Sequence, residues 1–541
     1  MKIRSFIVIL ISLSGLAALT GCQKGELQFN PNAATEATAI PTSLIINHLT
    51  ANLIRSEEMP FGNDAAGSNG YKASQQQTSI YSKYWSNNEY SWSYTVHSYE
   101  ILKYAVKLED EAFSQLKTTN NRYFALSKFF RAYAAVWLSQ RVGDIPMSEA
   151  GNPAISDPKF DTQKDVYKQS LALLDSANII MGALVNPSTQ GTVLDQGDIF
   201  GLTYLQWQKL INTYRLRVLI SLQKRADDAA DLNIKTQFAA IVGNSTQYPV
   251  MTGNGDNMVY KFNAAYNQYP NFASGSSSYN NFLNVGKTIL DATTANKDPR
   301  TFLFATPAPA LLAAPNNKAL NDFTAYVGAD PKIALDPLKL ASDAGNTSYF
   351  NASRYFGSNT GATTEPFIFV GYPEMCFNIA EGINRGWTTL GAADAKAWYD
   401  KGIAASFKNL GLDVTINSQI AISDVAGSKL GTVTADMPAF LTAVSYDLGS
   451  STNALTQILT QKYVAFFMNS GYEGFYNFRR TGIPVFSQGG PGIGTGGSQL
   501  IPRRWLYPLD EVNYNNANYK TSVAAQYGGT EDVNKDTWLT K

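Results

Sequence analysis

Residues 126–150 read LSKFFRAYAAVWLSQRVGDIPMSEA, and this stretch decides the class of fold. Its large apolar side chains recur at i, i+3, i+4, i+7 and i+11, and they are Leu126, Phe129, Phe130, Tyr133 and Trp137. That spacing places them in one stripe along an α-helix. Gly143 and Pro146 then end the helix, because glycine tolerates a positive φ and proline cannot continue helical hydrogen bonding. The stretch therefore predicts a helix packed along one face, followed by a turn.

Apolar stripes of the same kind recur along the chain. They comprise Trp207, Leu210, Ile211, Tyr214 and Val218; Cys376, Ile379, Ala380 and Ile383; Ala395, Trp398, Tyr399 and Ile403; and Leu455, Ile458, Leu459, Tyr463 and Phe466. Only a short turn separates residues 376–383 from residues 395–403, so helices come in pairs, as in architectures of stacked helical hairpins. No 34-residue period is present. We predict a mainly α fold.

Irregular stretches interrupt the helical pattern. Residues 61–90, 243–366 and 481–508 are rich in Gly, Asn, Ser and Pro, and residues 258–262 look like a short strand. Long loops in compact proteins are usually functional or disordered. We predict that the helical stretches and the irregular stretches form one domain over residues 43–541. Its helical scaffold covers about 43–242 and 367–480, and the irregular insertions lie on its ligand face.

The N-terminal residues predict export and lipidation. Residues 1–21 begin with Lys2 and Arg4 and continue as an apolar run of about half the length that a spanning helix needs, which is typical of a signal peptide. Residues 19–22, LTGC, resemble a bacterial lipobox, in which the cysteine is acylated with chains such as palmitate. Cys22 would then begin a lipidated tether over residues 22–42. The alternative is a free cysteine beside an ordinary cleavage site.

Composition limits the classes of function. The chain has 43 basic and 43 acidic residues and no basic run, so it carries no electrostatic footprint for nucleic acid. Besides Cys22, its only cysteine is Cys376, which excludes an intramolecular disulfide in the mature protein. Aromatic residues make up 12% of the chain, with 30 tyrosines. A surface rich in Tyr and Asn suits recognition of sugars or peptides.

Several motifs, in order along the chain, carry a resemblance. They are RVGDIPMSEA at 141–150; residues 158–161 with Tyr167, Leu171 and Asp175; KLINTYRLR at 209–217; KDPR at 297–300; YPEMCFNIAEGINRGW at 372–387; Gln461, Lys462 and Tyr463 ahead of EGFYNFRRTGIP at 473–484; and IPRRWLYPLDE at 501–511 with Asn515 and Asn518. Together they resemble the SusD/RagB family of outer-membrane nutrient-binding lipoproteins, and within it the SusD-like branch.

That resemblance implies tetratricopeptide-like helical hairpins in a superhelical scaffold. It also implies an outer-membrane lipoprotein that faces the cell exterior and forms the lid of a SusC-type TonB-dependent transporter, with an irregular face turned outward to bind an oligosaccharide or peptide. Relatives at the cell surface tend to carry an acidic export signal after the cysteine, whereas residues 23–26, QKGE, hold one acid, which leaves the leaflet open. A few relatives hold a structural calcium ion. No calcium motif is seen here, and no cofactor is predicted.

The candidate ligand-binding residues are aromatic and amide side chains outside the helical stripes. They are Tyr81, Tyr84, Trp85 and Tyr90 in the first insertion, and Asn263, Tyr266, Asn267 and Tyr269 in the second. An exposed ring stacks on the apolar face of a sugar or on a peptide side chain, and neighbouring amides fix its orientation. The alternative is that these rings pack beneath their own loops.

Evidence for catalysis in the sequence is weak. His48 and His97 are the only histidines, and neither lies near a nucleophile motif, while Cys376 falls on an apolar stripe and is predicted to be a core thiol. The arginine pairs at 479–480 and 503–504 are interpreted as ties between loops and helix ends. We predict a binding protein with no catalytic or metal site. The alternatives are a hydrolase of the same uptake system and a purely structural lipoprotein.

Overall fold

The computed structural model describes residues 39–56, 69–80, 96–263, 282–355, 365–494 and 497–541. Helices dominate these residues. The N-terminal helices are α1 (Thr42–Ser56), α2 (Asn69–Ala73), α3 (Val96–Leu116), α4 (Arg122–Val142), α5 (Gln163–Leu184), α6 (Tyr204–Ser221) and α7 (Ile234–Gly243). Shorter helices then follow, namely α8 (Lys287–Thr294), α9 (Arg300–Phe304), α10 (Pro309–Leu312), α11 (Leu335–Asp343) and α12 (Ala352–Tyr355).

The C-terminal part returns to longer helices. They are α13 (Tyr372–Asn384), α14 (Ala392–Asn409), α15 (Met437–Ala443), α16 (Ser451–Ala465), α17 (Glu473–Thr481), α18 (Leu509–Tyr514) and α19 (Asn516–Tyr527). The described strands form three antiparallel pairs. These are β1 (Gln77–Ser79) with β3 (Leu283–Val285), β2 (Met258–Tyr260) with β4 (Phe367–Val370), and β5 (Gln419–Ser423) with β6 (Lys429–Thr434). The fold is therefore mainly α with a few short strands, as predicted.

Helix α4 is the helix predicted from the opening stretch. The side chain of Asn121 caps it by accepting the N–H of Phe124 at 2.9 Å, which satisfies one of the free donors of the first turn. It ends at Gly143, whose φ of 100° excludes other residues and whose N–H donates to the carbonyl of Ser139. A Cβ at Gly143 would lie 2.1 Å from the side-chain oxygen of Gln526. The turn after α4 therefore also needs a glycine at this position to leave space for the side chain of Gln526 on α19.

Neighbouring helices pack as antiparallel hairpins around one large core. Helix α4 contacts α3 on one side and α5 on the other, α5 contacts α6, and α13 packs on both α14 and α16. The predicted apolar stripe of α4 is buried, but so are Ser127, Ala135 and Ser139 on its other faces. Helix α4 is buried all round because it lies between two neighbours. These hairpins are of the tetratricopeptide type that the sequence predicts.

Two of the stretches expected to be irregular contain regular structure. Within the first, residues 69–80 form α2 and β1, and nearly all of their side chains with a described exposure are buried. Within the second, α8 to α12 occupy much of residues 287–355. Glycine- and asparagine-rich sequence hides these short elements because each is stabilised by contacts with distant residues rather than by its own periodicity. Residues 482–508, in contrast, contain no α-helix or strand where the structure describes them.

Arg479 ties a loop to a helix end, as predicted, whereas Arg480, Arg503 and Arg504 form ion pairs with Glu381, Asp536 and Glu531. Arg479 donates to the carbonyl of Gln140 in the last turn of α4, at 2.7 Å, and to that of Arg503, at 2.8 Å. Arg504 donates to the carbonyl of Asp532, at 3.0 Å. These bonds satisfy carbonyl groups that would otherwise be buried without a partner. Among the described residues, no helix is both long enough and apolar enough to cross a bilayer.

Candidate functional site

Most of the predicted ligand-binding residues lie outside the described residues. This applies to Tyr81, Tyr84, Trp85, Tyr90, Tyr266, Asn267 and Tyr269, and also to Cys22. Asn263 is described, three residues beyond the end of β2, where it is half-buried. For the segments that carry these residues, the structure therefore describes only the points at which the chain enters and leaves them.

The first strand pair joins the ends of the two predicted segments. In the β1–β3 ladder Ser79 pairs with Leu283, and Ile80 then donates its N–H to the carbonyl of Phe282 at 2.9 Å. Tyr81 follows Ile80 directly in sequence, and residue 281 directly precedes Phe282. The aromatic segment 81–95 and the aromatic segment 264–281 are therefore attached to the scaffold at adjacent points.

The second strand pair does the same on the other side of segment 264–281. Tyr260 at the end of β2 pairs with Phe367 at the start of β4. The chain continues from Tyr260 through Asn263 to segment 264–281, and it reaches Phe367 from segment 356–364 by way of Glu365. The chain therefore enters segment 264–281 near the end of segment 356–364, and it leaves segment 264–281 near the start of segment 81–95.

Residues 466–471, which follow α16, hold the two strand pairs together. Gln76, directly before β1, accepts the N–H of Met468 on its side-chain oxygen at 2.9 Å. Ile368 in β4 donates its N–H to the carbonyl of Asn469 at 2.7 Å. We call residues 466–471, with the paired ends Ile80–Phe282 and Tyr260–Phe367, the strand-end junction.

Helix α2 also packs on this junction. A Cβ at Gly70 would lie 2.8 Å from the carbonyl carbon of Gly471, so the two backbones touch. Ser74 donates its hydroxyl to the carbonyl of Gly471 at 3.3 Å. Because α2 begins at residue 69, segment 57–68 also rejoins the scaffold here.

An aromatic cluster packs around Phe467 and so anchors the strand-end junction. The ring of Phe467 lies 3.9 Å from that of Phe304, 6.1 Å from that of Phe350 and 5.8 Å from that of Tyr355, measured between centroids. Stacked and edge-on aromatic pairs contribute about 0.5–1.5 kcal/mol each beyond the area they bury. Tyr355 is the last described residue before segment 356–364. The cluster therefore fixes the point at which that segment starts.

An ion pair closes the base of segment 356–364. Arg354 precedes the segment, Glu365 follows it, and their side chains form a salt bridge. Glu365 is 5% exposed, and burial raises the pKa of its carboxyl group although Arg354 opposes this shift. A buried pair of this kind is costly to break, because the remaining charge loses its counter-ion in a poorly solvated place.

The run Gln75-Gln76-Gln77 is a structural feature that the sequence analysis missed. Gln75 donates to the carbonyl of Ser487 at 2.7 Å and accepts the N–H of the same residue at 2.8 Å. The residues of this run are at most 2% exposed. Three consecutive amides bury themselves here because their partners come from elements far away in the sequence. A local pattern carries no signal for this.

The described candidates for catalysis have structural surroundings. His48 bonds to Glu100 at 3.2 Å, and its ring lies 4.0 Å from that of Tyr104. Cys376 is fully buried, and burial raises the pKa of its thiol to about 12, so it is a core thiol as predicted. In the described part of the chain, no group of three His, Cys, Asp or Glu residues could hold a metal ion. The side chain of His97 lies outside the described set.

Solved structures resemble this fold along nearly its whole length. A SusD homologue from Bacteroides fragilis NCTC 9343 is 27% identical, with a TM-score of 0.75, and the match covers 93% of this chain and 100% of that one. An outer-membrane protein from Bacteroides vulgatus ATCC 8482, described as putative and probably involved in nutrient binding, is 26% identical, with a TM-score of 0.72 and coverages of 93% and 100%. A chitin-binding SusD homologue from Flavobacterium johnsoniae shares the fold at 19% identity, with a TM-score of 0.66 and coverages of 91% and 99%.

Comparison of sequences points to the same family. No curated protein matches the chain at a significant level. The SusD-like family model, described as starch-binding and associating with the outer membrane, matches residues 31–508. Because this match spans most of the chain and the solved homologues share its fold, the chain belongs to the SusD/RagB family.

Proposed function

We propose that this protein is an outer-membrane lipoprotein that binds a nutrient and delivers it to a SusC-type TonB-dependent transporter, for which it acts as the lid. The nutrient is an oligosaccharide or a peptide, and it is bound without being cleaved. The proposal assigns the anchor to Cys22 and the ligand contacts to the aromatic and amide residues of segments 81–95 and 264–281, together with Asn263.

The observation that carries this proposal is the strand-end junction in a chain of this family. The family is described as starch-binding, and the junction attaches two aromatic segments of this chain side by side. Segments 81–95 and 264–281 together contain ten aromatic residues but only two charged ones, Lys83 and Glu89. Rings and amides in such a segment supply stacking area and paired donors and acceptors, which is what a neutral sugar requires.

Calorimetric titration with panels of neutral oligosaccharides and peptides tests the proposed binding. We expect heat of binding for one panel and no release of reducing ends or shorter peptides after prolonged incubation. Replacing Tyr84, Trp85 and Tyr269 together by alanine should abolish that heat. Trp398→Ala is the matched control, because Trp398 is a half-buried ring on α14 beneath Lys401 and outside the junction. Turnover of the ligand would favour a hydrolase instead.

Fractionation tests the proposed anchor. Cys22→Ala should move the protein from the outer-membrane fraction to the soluble fraction and abolish labelling with radioactive palmitate. Cys376→Ala is the control: Cys376 is buried in the core, so this variant should remain membrane-bound and labelled. Equal labelling of both variants would contradict acylation at Cys22.

Co-purification tests the proposed partner. The tagged protein, extracted in mild detergent from cells that express the adjacent barrel gene, should bring a TonB-dependent transporter with it. Mass spectrometry of small molecules released from that complex would identify the nutrient. Recovery of the protein alone from intact outer membranes would contradict its role as a lid.

A further inference from the structure

A small cavity of about 30 Å³ lies among α4, α6, α13, α16 and α17. A cavity of this size holds about two water molecules. The charged side chains that line it are Arg217, Lys462, Arg479, Arg480, Glu374 and Glu473. The lining therefore contains four cations and two carboxylates, which gives it a net positive charge.

Both carboxylates of the lining are used by one of its cations. Glu374 accepts two hydrogen bonds from Arg217, one of them from Nε at 2.7 Å. Glu473 lies 3.3 Å from another nitrogen of the same guanidinium. Arg480 pairs instead with Glu381, which does not line the cavity and is shared with Arg385. Among the described residues, neither carboxylate of the lining forms an ion pair with Lys462 or Arg479.

Lys462 and Arg479 are the cations without a carboxylate partner. They are 4% and 3% exposed, and neither has a carboxylate oxygen within 4 Å among the described residues. Arg479 donates to backbone carbonyls, while the closest acceptor of the Lys462 ammonium is the side-chain oxygen of Asn477, at 3.4 Å. An ammonium group has three donors, so most of its hydrogen-bonding capacity is unused.

The pKa shifts of these two cations agree with a shortage of negative charge. Burial, followed by the charge of nearby Arg480, lowers the pKa of Lys462 to about 8, although the charges of Glu381, Glu374 and Glu473 oppose this shift. Burial also lowers the pKa of Arg479 to about 10. A cation that gained a close counter-ion in a buried place would instead hold its proton more tightly.

Asn477 adds an unused donor to the same wall. Its side-chain oxygen accepts a hydrogen bond from Arg480 at 2.8 Å and faces Lys462, which fixes the orientation of the amide. The amide nitrogen, on the same carbon as that oxygen, is buried with no hydrogen-bond partner among the described residues. An ammonium group with one hydrogen bond of 3.4 Å and an amide N–H without a partner thus lie close together at the cavity.

We propose that the cavity binds a small monovalent anion of halide size, held by the ammonium group of Lys462 and the side-chain N–H of Asn477. The anion would balance the charge that Lys462 and Arg479 bring into the scaffold, where an uncompensated ion is strongly destabilising. The volume of about 30 Å³ matches a halide better than a polyatomic anion or a nutrient. This anion site would bind a different class of ligand from the proposed nutrient site.

Thermal unfolding in mixed salts tests the site. At constant ionic strength, replacement of methanesulfonate by chloride should raise the midpoint by about 2 °C for each tenfold increase above the dissociation constant. Bromide should act like chloride, whereas a larger anion such as sulfate should show no saturable effect. A midpoint that does not depend on the identity of the anion would overturn the proposal.

Three variants separate the proposed site from general salt effects. Asn477→Asp places a carboxylate beside Lys462, so its midpoint should no longer respond to chloride. Lys462→Met removes the cation and should also abolish the response. Lys209→Met is the control, because Lys209 already pairs with Asp256 at 2.9 Å, and it should keep the wild-type chloride response. A full response in Asn477→Asp would overturn the proposal.

Crystals grown in bromide provide an independent readout. Anomalous scattering should show one bromide ion in the cavity of the wild-type protein and none there in Asn477→Asp. Peaks confined to the protein surface would identify an adventitious ion only, and they would overturn the proposal.

Discussion

Ile80 donates its backbone N–H to the carbonyl oxygen of Phe282, at 2.9 Å. This bond extends the β1–β3 ladder by one step, to the points where segment 81–95 leaves the scaffold and segment 264–281 returns to it. Two stretches that are far apart in the sequence are therefore attached side by side. The proposed nutrient site depends on this attachment. One ligand can stack on rings from both segments only if the distance between those rings is no longer than the ligand.

We expect ring contacts from the two segments to be coupled. Trp85→Ala and Tyr269→Ala should each lower affinity for the nutrient about fivefold, which corresponds to about 1 kcal/mol per stacking contact. A double-mutant cycle measured by calorimetry should then give a coupling energy above about 0.5 kcal/mol, since both rings would contact one ligand. Strict additivity of the two effects would show that the rings do not share a ligand.

Gln76→Leu should destabilise the strand-end junction. The variant keeps most of the volume but removes the oxygen that accepts the N–H of Met468, and a buried donor without a partner costs about 1–3 kcal/mol. Urea unfolding followed by circular dichroism measures this loss. Gln419→Leu is the matched control: Gln419 is exposed on β5, so its change should stay within about 0.5 kcal/mol. Equal stability of the two variants would contradict the role of Gln76.

Glu381→Gln should cost about 3–5 kcal/mol at pH 7, because it leaves buried arginines without their carboxylate. Glu381 is fully buried between Arg480 and Arg385. Although burial opposes it, the charge of Arg480 is the main cause that lowers the pKa of Glu381 to about 2. A lowered carboxyl pKa contributes stability above its ordinary value, and this contribution is lost as the pH falls towards 2.

The difference in unfolding free energy between wild type and Glu381→Gln should therefore shrink steadily below about pH 4.5. Asp400→Asn is the control, because it removes an exposed ion pair with Lys396 and should change stability by less than about 0.5 kcal/mol. A difference that stays constant from pH 7 to pH 3 would show that the charge of Glu381 does not stabilise the fold.

Asp144→Asn should stabilise the protein at neutral pH. Burial raises the pKa of Asp144 to about 6, although the N–H of Gln163 and the hydroxyl of Ser522 oppose the shift. A raised carboxyl pKa means that the folded state loses stability as the pH rises from the unfolded value, near 4, to about 6. Asparagine avoids this cost and can still accept the Gln163 N–H.

Chemical unfolding at several pH values measures this effect. We expect Asp144→Asn to be more stable than wild type by about 3 kcal/mol above pH 7 and to match it below pH 4. A variant less stable than wild type at every pH would mean that the carboxylate itself is required where α4 meets α19.

The thiol of Cys376 should be unreactive in the folded protein. It is fully buried on α13, and burial raises its pKa to about 12, whereas the thiolate is the reactive form. In a Cys22→Ala background, a disulfide reagent such as dithionitrobenzoate should label Cys376 only after denaturant unfolds the chain. Rapid labelling under native conditions would place this thiol at a surface.

The helical scaffold could be predicted from the sequence to a large extent. The apolar stripes mark α4, α6, α13, α14 and α16 because helical periodicity depends on residues three or four positions apart. The buried polar residues of α4 could not be predicted in this way. Arg141, for instance, is fully buried against the rings of Trp137, Tyr472 and Trp505, and two of those rings come from the other end of the chain.

The strand-end junction could not be predicted. Residues 75–77 are three glutamines in a stretch that looks like a surface loop, and each strand of the junction has only three or four residues. Apart from β2 (Met258–Tyr260), which the sequence of residues 258–262 predicts, such strands carry too little periodicity to be recognised. They form because Met468, Asn469 and Ser487 supply hydrogen-bond partners from distant parts of the chain.

The sequence by itself determined the mainly helical class, the family and the aromatic segments proposed to bind the nutrient. These features depend only on the spacing and the order of residues along the chain. Only the tertiary structure decided that Ile80 meets Phe282, and that Lys462 and Arg479 enclose more positive than negative charge around one cavity. Both depend on which distant residues become neighbours. Such pairings follow from the packing of the whole scaffold, whereas periodicity is set within one or two helical turns.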